Sequence, residues 1–332
     1  IITNFFFSKL FKKLFKSEKN KSKKLNTNFM LSTKQKNMSN TCNDLQLFIG
    51  FNESTKSNVY IPKSGLYQNF LITGTIGSGK TSSAMYPFTE QILRFNSKHP
   101  NKKIAMLILD VKGNYYAQVK EFCKTYDLLS DLIVVELHSH IHYNPLHKPH
   151  LKAQVLANRL KTILLLFSEN NSESYWLDKA EQVLTECIKL CRFYNQGYVT
   201  FLELHKLITI PTYYKEKIPI LKELFINGKL KKQEIYELNA CLDFFQKEFE
   251  ALDQRTKAIL ISEITRITNT FVSDYDVMSC FCSPKEKLSF TGFEEVIKKG
   301  KIVVLNMNIS EYTNLSKIIA TYLKLDFQTE IL

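Results

Sequence analysis

The chain has 332 residues, 44% of them apolar and 23% charged. That is enough apolar material for a buried core, and it excludes a largely disordered or collagen-like chain. Forty-five basic side chains face 32 acidic ones, a formal net charge of +13, yet residues 1–40 alone hold ten lysines against the single Glu18. Only +4 of the total belongs to the rest, so the charge marks one end of the chain rather than a basic surface over the whole of it.

The odd number of cysteines, seven, lies scattered with no C-x-x-C pair, which argues against a disulfide framework and for a reducing setting. No run approaches the roughly 18–20 uninterrupted apolar residues of a membrane-spanning helix.

The first predicted element is an amphipathic helix. Phe7, Leu10, Phe11, Leu14 and Phe15 share one face and lysines fill the other. A Lys-, Ser- and Asn-rich linker continues to residue 40. Residues 5–24 therefore suit an anionic membrane surface.

Strand-type runs follow at Leu47–Gly50, Asn58–Ile61 and Asn69–Thr73, the last leading directly into a predicted helix over Thr81–Arg94. Lys103–Asp110 and Asp131–Leu137 read as strands buried on both faces, with a helix over Gly113–Tyr126 between them. Strand, helix and strand in alternation predict an α/β fold with a mainly parallel sheet. From residue 151 to 272 only helices are expected, at 151–168, 175–195, 201–209, 215–226, 231–250 and 252–272, with Thr200 and Glu203 as a capping box. A short helix that Thr291 and Glu294 cap, the strand Lys301–Met307 and a helix from about Asn314 complete the chain. The expected organisation is a basic segment at 1–40, the first part of a nucleotide-binding domain at 41–150, an inserted all-α domain at 151–272, and a return to the nucleotide-binding domain at 273–332.

One motif carries chemistry. Gly74-Thr75-Ile76-Gly77-Ser78-Gly79-Lys80-Thr81 satisfies G-x-x-x-x-G-K-[ST] between a predicted strand and a predicted helix. Glycines let consecutive N–H groups turn inward toward phosphate oxygens, and the helix N-terminus adds partial positive charge. Lys80 then reaches the β- and γ-phosphates, and the Thr81 hydroxyl ligates Mg²⁺. ATP with Mg²⁺ is the implied ligand. Asp110, ending the run AMLILD, is the candidate carboxylate for the Mg²⁺ site and, with Lys80, the candidate catalytic pair, with a turn-initiating aspartate as the plainer alternative. No Asp-Glu dipeptide occurs in the sequence.

Around these residues the chain resembles the TraG/TraD-like coupling proteins of conjugative type IV secretion systems. The resemblance runs from Ile61-Pro62 and Gly65-Leu66 through the phosphate loop to Leu109-Asp110-Val111-Lys112-Gly113, where the family has Asp-Pro-Lys-Gly. It continues through Tyr143-Asn144-Pro145-Leu146, Tyr175-Trp176 and Gly300–Met307, so it covers about residues 45–332. It implies a RecA-like P-loop ATPase domain with an inserted all-α domain, anchored at the cytoplasmic face of the cell membrane. It also implies a homo-oligomeric, hexameric ring that delivers single-stranded DNA or relaxase-type nucleoprotein cargo to the secretion channel. The family's Asp-Glu strand follows a helix like the one from Asn314, which places that pair beyond residue 332. A soluble small-molecule kinase and a non-hydrolysing nucleotide-dependent scaffold are the competing functions.

Other features have plainer readings. His138, His140 and His142 alternate as a metal site on a strand would, but no acid or thiol stands at a suitable interval except Glu136. Arg255 and Arg266 are candidates, by elimination among five arginines, for reaching a neighbour's γ-phosphate. Tyr175-Trp176 is expected to pack in the core rather than stack on bases.

Overall fold

A computed structural model describes residues 44–110, 113–167, 174–228, 230–308 and 310–331. The basic helix and linker expected over 1–40, together with Val111-Lys112, lie outside the described residues.

Strands β1 (Leu47–Asn52) and β2 (Ser57–Ile61) form an antiparallel hairpin with Leu47 opposite Ile61. Its turn closes because the Asn52 side chain accepts from the N–H groups of Ser54 and Thr55 at 2.9 and 3.1 Å. A single turn of helix, α1 (Lys63–Leu66), follows. The next expected strand, Asn69–Thr73, is not one: the segment is irregular and Leu71 is 83% exposed. Its composition suits a strand, but a strand exists only with a neighbour to take its N–H and C=O groups. Among the described residues none pairs with it.

The helix after the glycine loop opens with a π-helical turn over Thr81–Met85 and continues as α2 (Tyr86–Arg94). Then come β3 (Met106–Asp110), α3 (Tyr115–Thr125) and β4 (Leu132–Val135), while β5 (Ile302–Asn306) arrives much later in the chain. The three strands are parallel in the order β3-β5-β4, with Asp110 opposite Asn306. Only the central strand is buried on both faces along most of its length, from Ile302 to Leu305. The runs expected to be fully buried, β3 and β4, are the edges, and most of their residues are only partly covered. Alternate side chains serve two cores. Met106, Ile108, Leu132, Ile302 and Val304 meet Leu93 of α2 and Tyr115 and Val119 of α3. Leu107, Leu109, Ile133, Val303 and Leu305 face the later helices.

Those helices follow the sequence periodicity closely: α4 (Ala153–Phe167), α5 (Ser174–Tyr194), α6 (Phe201–Thr209), α7 (Tyr213–Ile226), α8 (Lys232–Asp243) with a further π-helical stretch to Phe249, and α9 (Gln254–Val272). The Thr200 hydroxyl caps α6 by accepting from Glu203 N–H at 3.1 Å, as expected. After α10 (Tyr275–Phe281), α11 (Phe293–Lys299) starts at Gly292 with no side-chain cap, so Thr291 does not cap it. The last helix is α12 (Thr313–Ile331).

Helix α12 is tied down by a buried ion cluster. Asp326 accepts from the Tyr143 hydroxyl, from Lys148 and from Arg159, each at 2.6 Å. These four residues come from the turn after β4, from α4 and from α12, so the helical block and the sheet share one apolar core. From Leu45 onward the chain forms one compact unit. Among the described residues no helix is long and apolar enough to cross a membrane.

Candidate nucleotide-binding site

The loop at 74–81 has the backbone that its glycines permit. Gly77 and Gly79 sit at φ +78° and +81°, a region costly to residues with a Cβ. At Gly79 an added Cβ would also lie 3.1 Å from the Ser83 hydroxyl. Between them Ser78 N–H donates to Thr75 O at 3.2 Å, and Ser83 N–H donates to Gly79 O at 2.7 Å, which starts the helix on the loop. Among the described residues no hydrogen bond takes up the N–H groups of Gly77 and Gly79. Orphan donors at the head of a helix are what a phosphate oxygen satisfies.

Lys80 folds back over the loop. Its ammonium donates to Gly74 O and Thr75 O, both at 2.8 Å. The charge is thus stationed at the mouth of the loop, held by carbonyls that an incoming anion can replace. The loop is open to solvent, with the Ile76 side chain fully exposed. The donor set fits a polyphosphate: orphan N–H groups, one ammonium and the Thr81 hydroxyl, the candidate ligand for Mg²⁺.

Asp110 is placed differently from a carboxylate waiting for a metal. It is 5% exposed. One oxygen accepts from Gly113 N–H at 3.0 Å and the other from the N–H groups of Tyr115 and Tyr116 at 2.7 and 3.0 Å. Asp110 therefore anchors the N-terminus of α3, where negative charge is also favoured by the helix dipole. From there a short path leads to the loop helix. The Tyr115 hydroxyl meets the Thr89 hydroxyl at 2.7 Å, and its ring lies 4.9 Å from that of Tyr86. Burial raises the Tyr115 hydroxyl above its ordinary pKa, with Thr89 opposing. At the other end of α3 the Tyr126 hydroxyl donates to Glu90 at 2.7 Å. These contacts tie α3, and with it Asp110 at the carboxyl ends of the parallel strands, to α2, the helix that follows the loop. Ligands of parallel α/β sheets collect on that side.

Two residues at that edge escaped the sequence reading. The Asn306 amide, opposite Asp110 on β5, donates to Glu136 just after β4 at 2.5 Å. Asp110, Asn306 and Glu136 form a row across the three strand ends. Each is the first polar residue after an apolar run, a signal visible in LILD, VVLN and VVE once the strand order is known.

The remaining candidates stay apart. His138 adopts φ +62° and its Nδ1 lies 3.7 Å from Asp276, whereas Nδ1 of His142 meets the Ser283 hydroxyl at 2.7 Å. Among the described residues no three His, Cys, Asp or Glu side chains converge as metal ligands. Tyr175 is exposed at the head of α5, edge-on to Trp176 with ring centroids 5.2 Å apart, and Trp176 packs against the core. Arg255 is exposed near the start of α9, and Arg266 pairs with Glu263 at 3.0 Å on the same helix. The six described cysteines are buried free thiols; burial pushes Cys123 up to about 11 and Cys280 and Cys282 up to about 12. No protein-family model matches the chain, and no curated protein does.

Proposed function

We propose that Gly74–Thr81 binds ATP with Mg²⁺, and that the chain is the ATP-binding region of a conjugative coupling protein. In that reading it delivers single-stranded DNA or relaxase-bound DNA to a type IV secretion channel, working as a ring at the cytoplasmic face of the membrane. One observation carries the nucleotide part: two glycines in the left-handed region at the head of a helix, with the Lys80 ammonium folded over the same loop. The transport part rests on the order of sequence motifs between residues 45 and 332.

On binding, the N–H groups of Gly77 and Gly79 donate to phosphate oxygens, and Lys80 exchanges the carbonyls of Gly74 and Thr75 for the β- and γ-phosphates. The Thr81 hydroxyl ligates Mg²⁺, which when bound neutralises phosphate charge. Asp110 holds α3 and, through Tyr115 and Thr89, steadies the loop helix from behind. In this reading its role is positioning.

A ligand at a hundred times its dissociation constant stabilises by about 2.7 kcal/mol. Mg-ATP is therefore expected to raise the melting temperature by several degrees, and Lys80→Ala to abolish the rise. An equal rise in the variant would remove the lysine from the phosphate site. ATP hydrolysis stimulated by single-stranded DNA in the full-length protein tests the transport part; ATP binding without such stimulation would leave a nucleotide-binding protein of another kind.

A further inference from the structure

The helix behind the glycine loop falls into two parts that are held very differently. From Tyr86 onward α2 is pinned by two elements. On α3, the Tyr115 ring lies 4.9 Å from that of Tyr86, its hydroxyl meets Thr89 at 2.7 Å, and the Tyr126 hydroxyl donates to Glu90 at 2.7 Å. On β1, Phe48 is gripped by the Gln91 amide, which accepts from Phe48 N–H at 2.7 Å and donates to Phe48 O at 3.2 Å. Leu93 is buried in the core below. The five residues before Tyr86 have no such hold. None of Thr81–Met85 is buried, and among the described residues the loop's hydrogen bonds join it only to itself and to this turn.

Pro87 accounts for the change at that point. A proline inside a helix offers no N–H, and its ring presses on the carbonyl four residues back, here that of Ser83. The turn widens instead. Tyr86 N–H donates to Thr81 O, five residues back, so Thr81–Met85 winds as a π-helix. Such turns are rare, and they collect where helices bend or do work. The other π-helical stretch, Phe244–Phe249, buries Phe244 and Phe245 and is locked by their packing. The turn at the loop has no such lock. On the other side of the loop the chain is loose as well, with Leu71 83% exposed. The loop itself is drawn shut, by Lys80 on Gly74 O and Thr75 O and by Ser78 N–H on Thr75 O. A polyphosphate that enters must part these bonds, and the turn can give way without unseating α2.

We propose that the π-turn set by Pro87 is the hinge of the glycine loop. Loop and turn move together as phosphates enter or leave, while α2 from Tyr86 onward stays fixed on α3 and β1. Pro87 acts by denying the turn its α-helical hydrogen bond, which keeps the hinge soft and sets the rate of nucleotide entry and exit. The hinge rests on the reading of residues 74–81 as a phosphate site, but its softness is measurable with no nucleotide present.

Pro87→Ala restores the missing N–H, so the turn is expected to rewind as α-helix. Without nucleotide, hydrogen exchange should slow several-fold over residues 82–86 and change little over 88–94. Mg-ATP added to the native chain should alter exchange over residues 74–86 and no further. In stopped flow, Pro87→Ala should take up and release a fluorescent ATP analogue with Mg²⁺ several-fold more slowly, although its helix is the more stable one. A proline with a merely structural role would leave both rates unchanged. Exchange changes that run on through 88–94, or native rates of uptake and release in Pro87→Ala, overturn the hinge. Unchanged exchange over 82–86 in that variant refutes the hinge by itself, whatever the loop binds. A native chain that gives no response to Mg-ATP refutes the phosphate site, and the hinge as a nucleotide gate with it.

Discussion

The backbone N–H of Tyr115 donates to Asp110 at 2.7 Å, while the same residue's hydroxyl reaches Thr89 on the helix that follows the glycine loop. One tyrosine therefore joins the end of a β-strand to the helix expected to carry the phosphates.

That arrangement makes Asp110 structural before it is chemical. Asp110→Asn keeps one acceptor oxygen and turns the other into a donor, so at least one of its three N–H partners is left without an acceptor. A loss of about 1–3 kcal/mol is expected, read as a lower urea midpoint. A variant of unchanged stability that binds ATP but no longer hydrolyses it would instead place the carboxylate on the metal.

Gly79→Ala tests the loop backbone. The left-handed φ costs a residue with a Cβ about 1–2 kcal/mol, and the new methyl group presses on the Ser83 hydroxyl. The Mg-ATP-dependent rise in melting temperature should disappear, with the ligand-free melting temperature only a few degrees lower. Retention of the full rise would show that the loop binds no phosphate in the way proposed.

Asp326→Asn removes the one acid from a buried cluster and leaves Lys148 and Arg159 without their carboxylate. Breaking such a pair costs about 3–5 kcal/mol. Lys148→Met should cost distinctly less, because Arg159 keeps its partner and the charges balance. Urea unfolding of the two variants side by side decides this, and equal losses would contradict the charge count.

Acid should weaken the fold through two histidines. Burial, followed by Lys285, Lys148 and Arg192, holds the His147 imidazole below its ordinary value of 6.5, and burial does the same for His205, whose Nδ1 meets Thr268 at 3.0 Å. Both rings are therefore harder to protonate in the folded chain than in the unfolded one. Above about pH 6.5 they add no pH dependence. As pH falls below it the unfolded chain binds more protons, and stability declines until the lower folded value is reached. The slope is at most about 1.4 kcal/mol per pH unit for each ring, and less for rings this exposed. Unfolding curves at about pH 7.5 and 5.5 should show the fall, and His147→Phe should remove part of it.

Much of this protein is readable from local pattern. The helices between 153 and 272 follow apolar periodicity, Thr200 caps α6 through a motif four residues long, and the glycine loop is a contiguous stretch whose backbone needs no distant partner. Local interactions leave their mark in local sequence. The expectation for Asn69–Thr73 was wrong because composition signals a strand but pairing makes one, and pairing depends on residues far along the chain.

What the sequence by itself determined is the run of helices between 153 and 272 and the eight residues of the glycine loop, since spacing of three to eight residues decides both. Only the tertiary structure decided which strand is central, that Asp110 spends its carboxylate on the head of α3, and that Asp326 gathers Tyr143, Lys148 and Arg159. The reason is distance along the chain. The partners of Asp326 lie more than 160 residues before it, and no periodicity in a sequence encodes which buried cation a lone acid will meet once the core has closed.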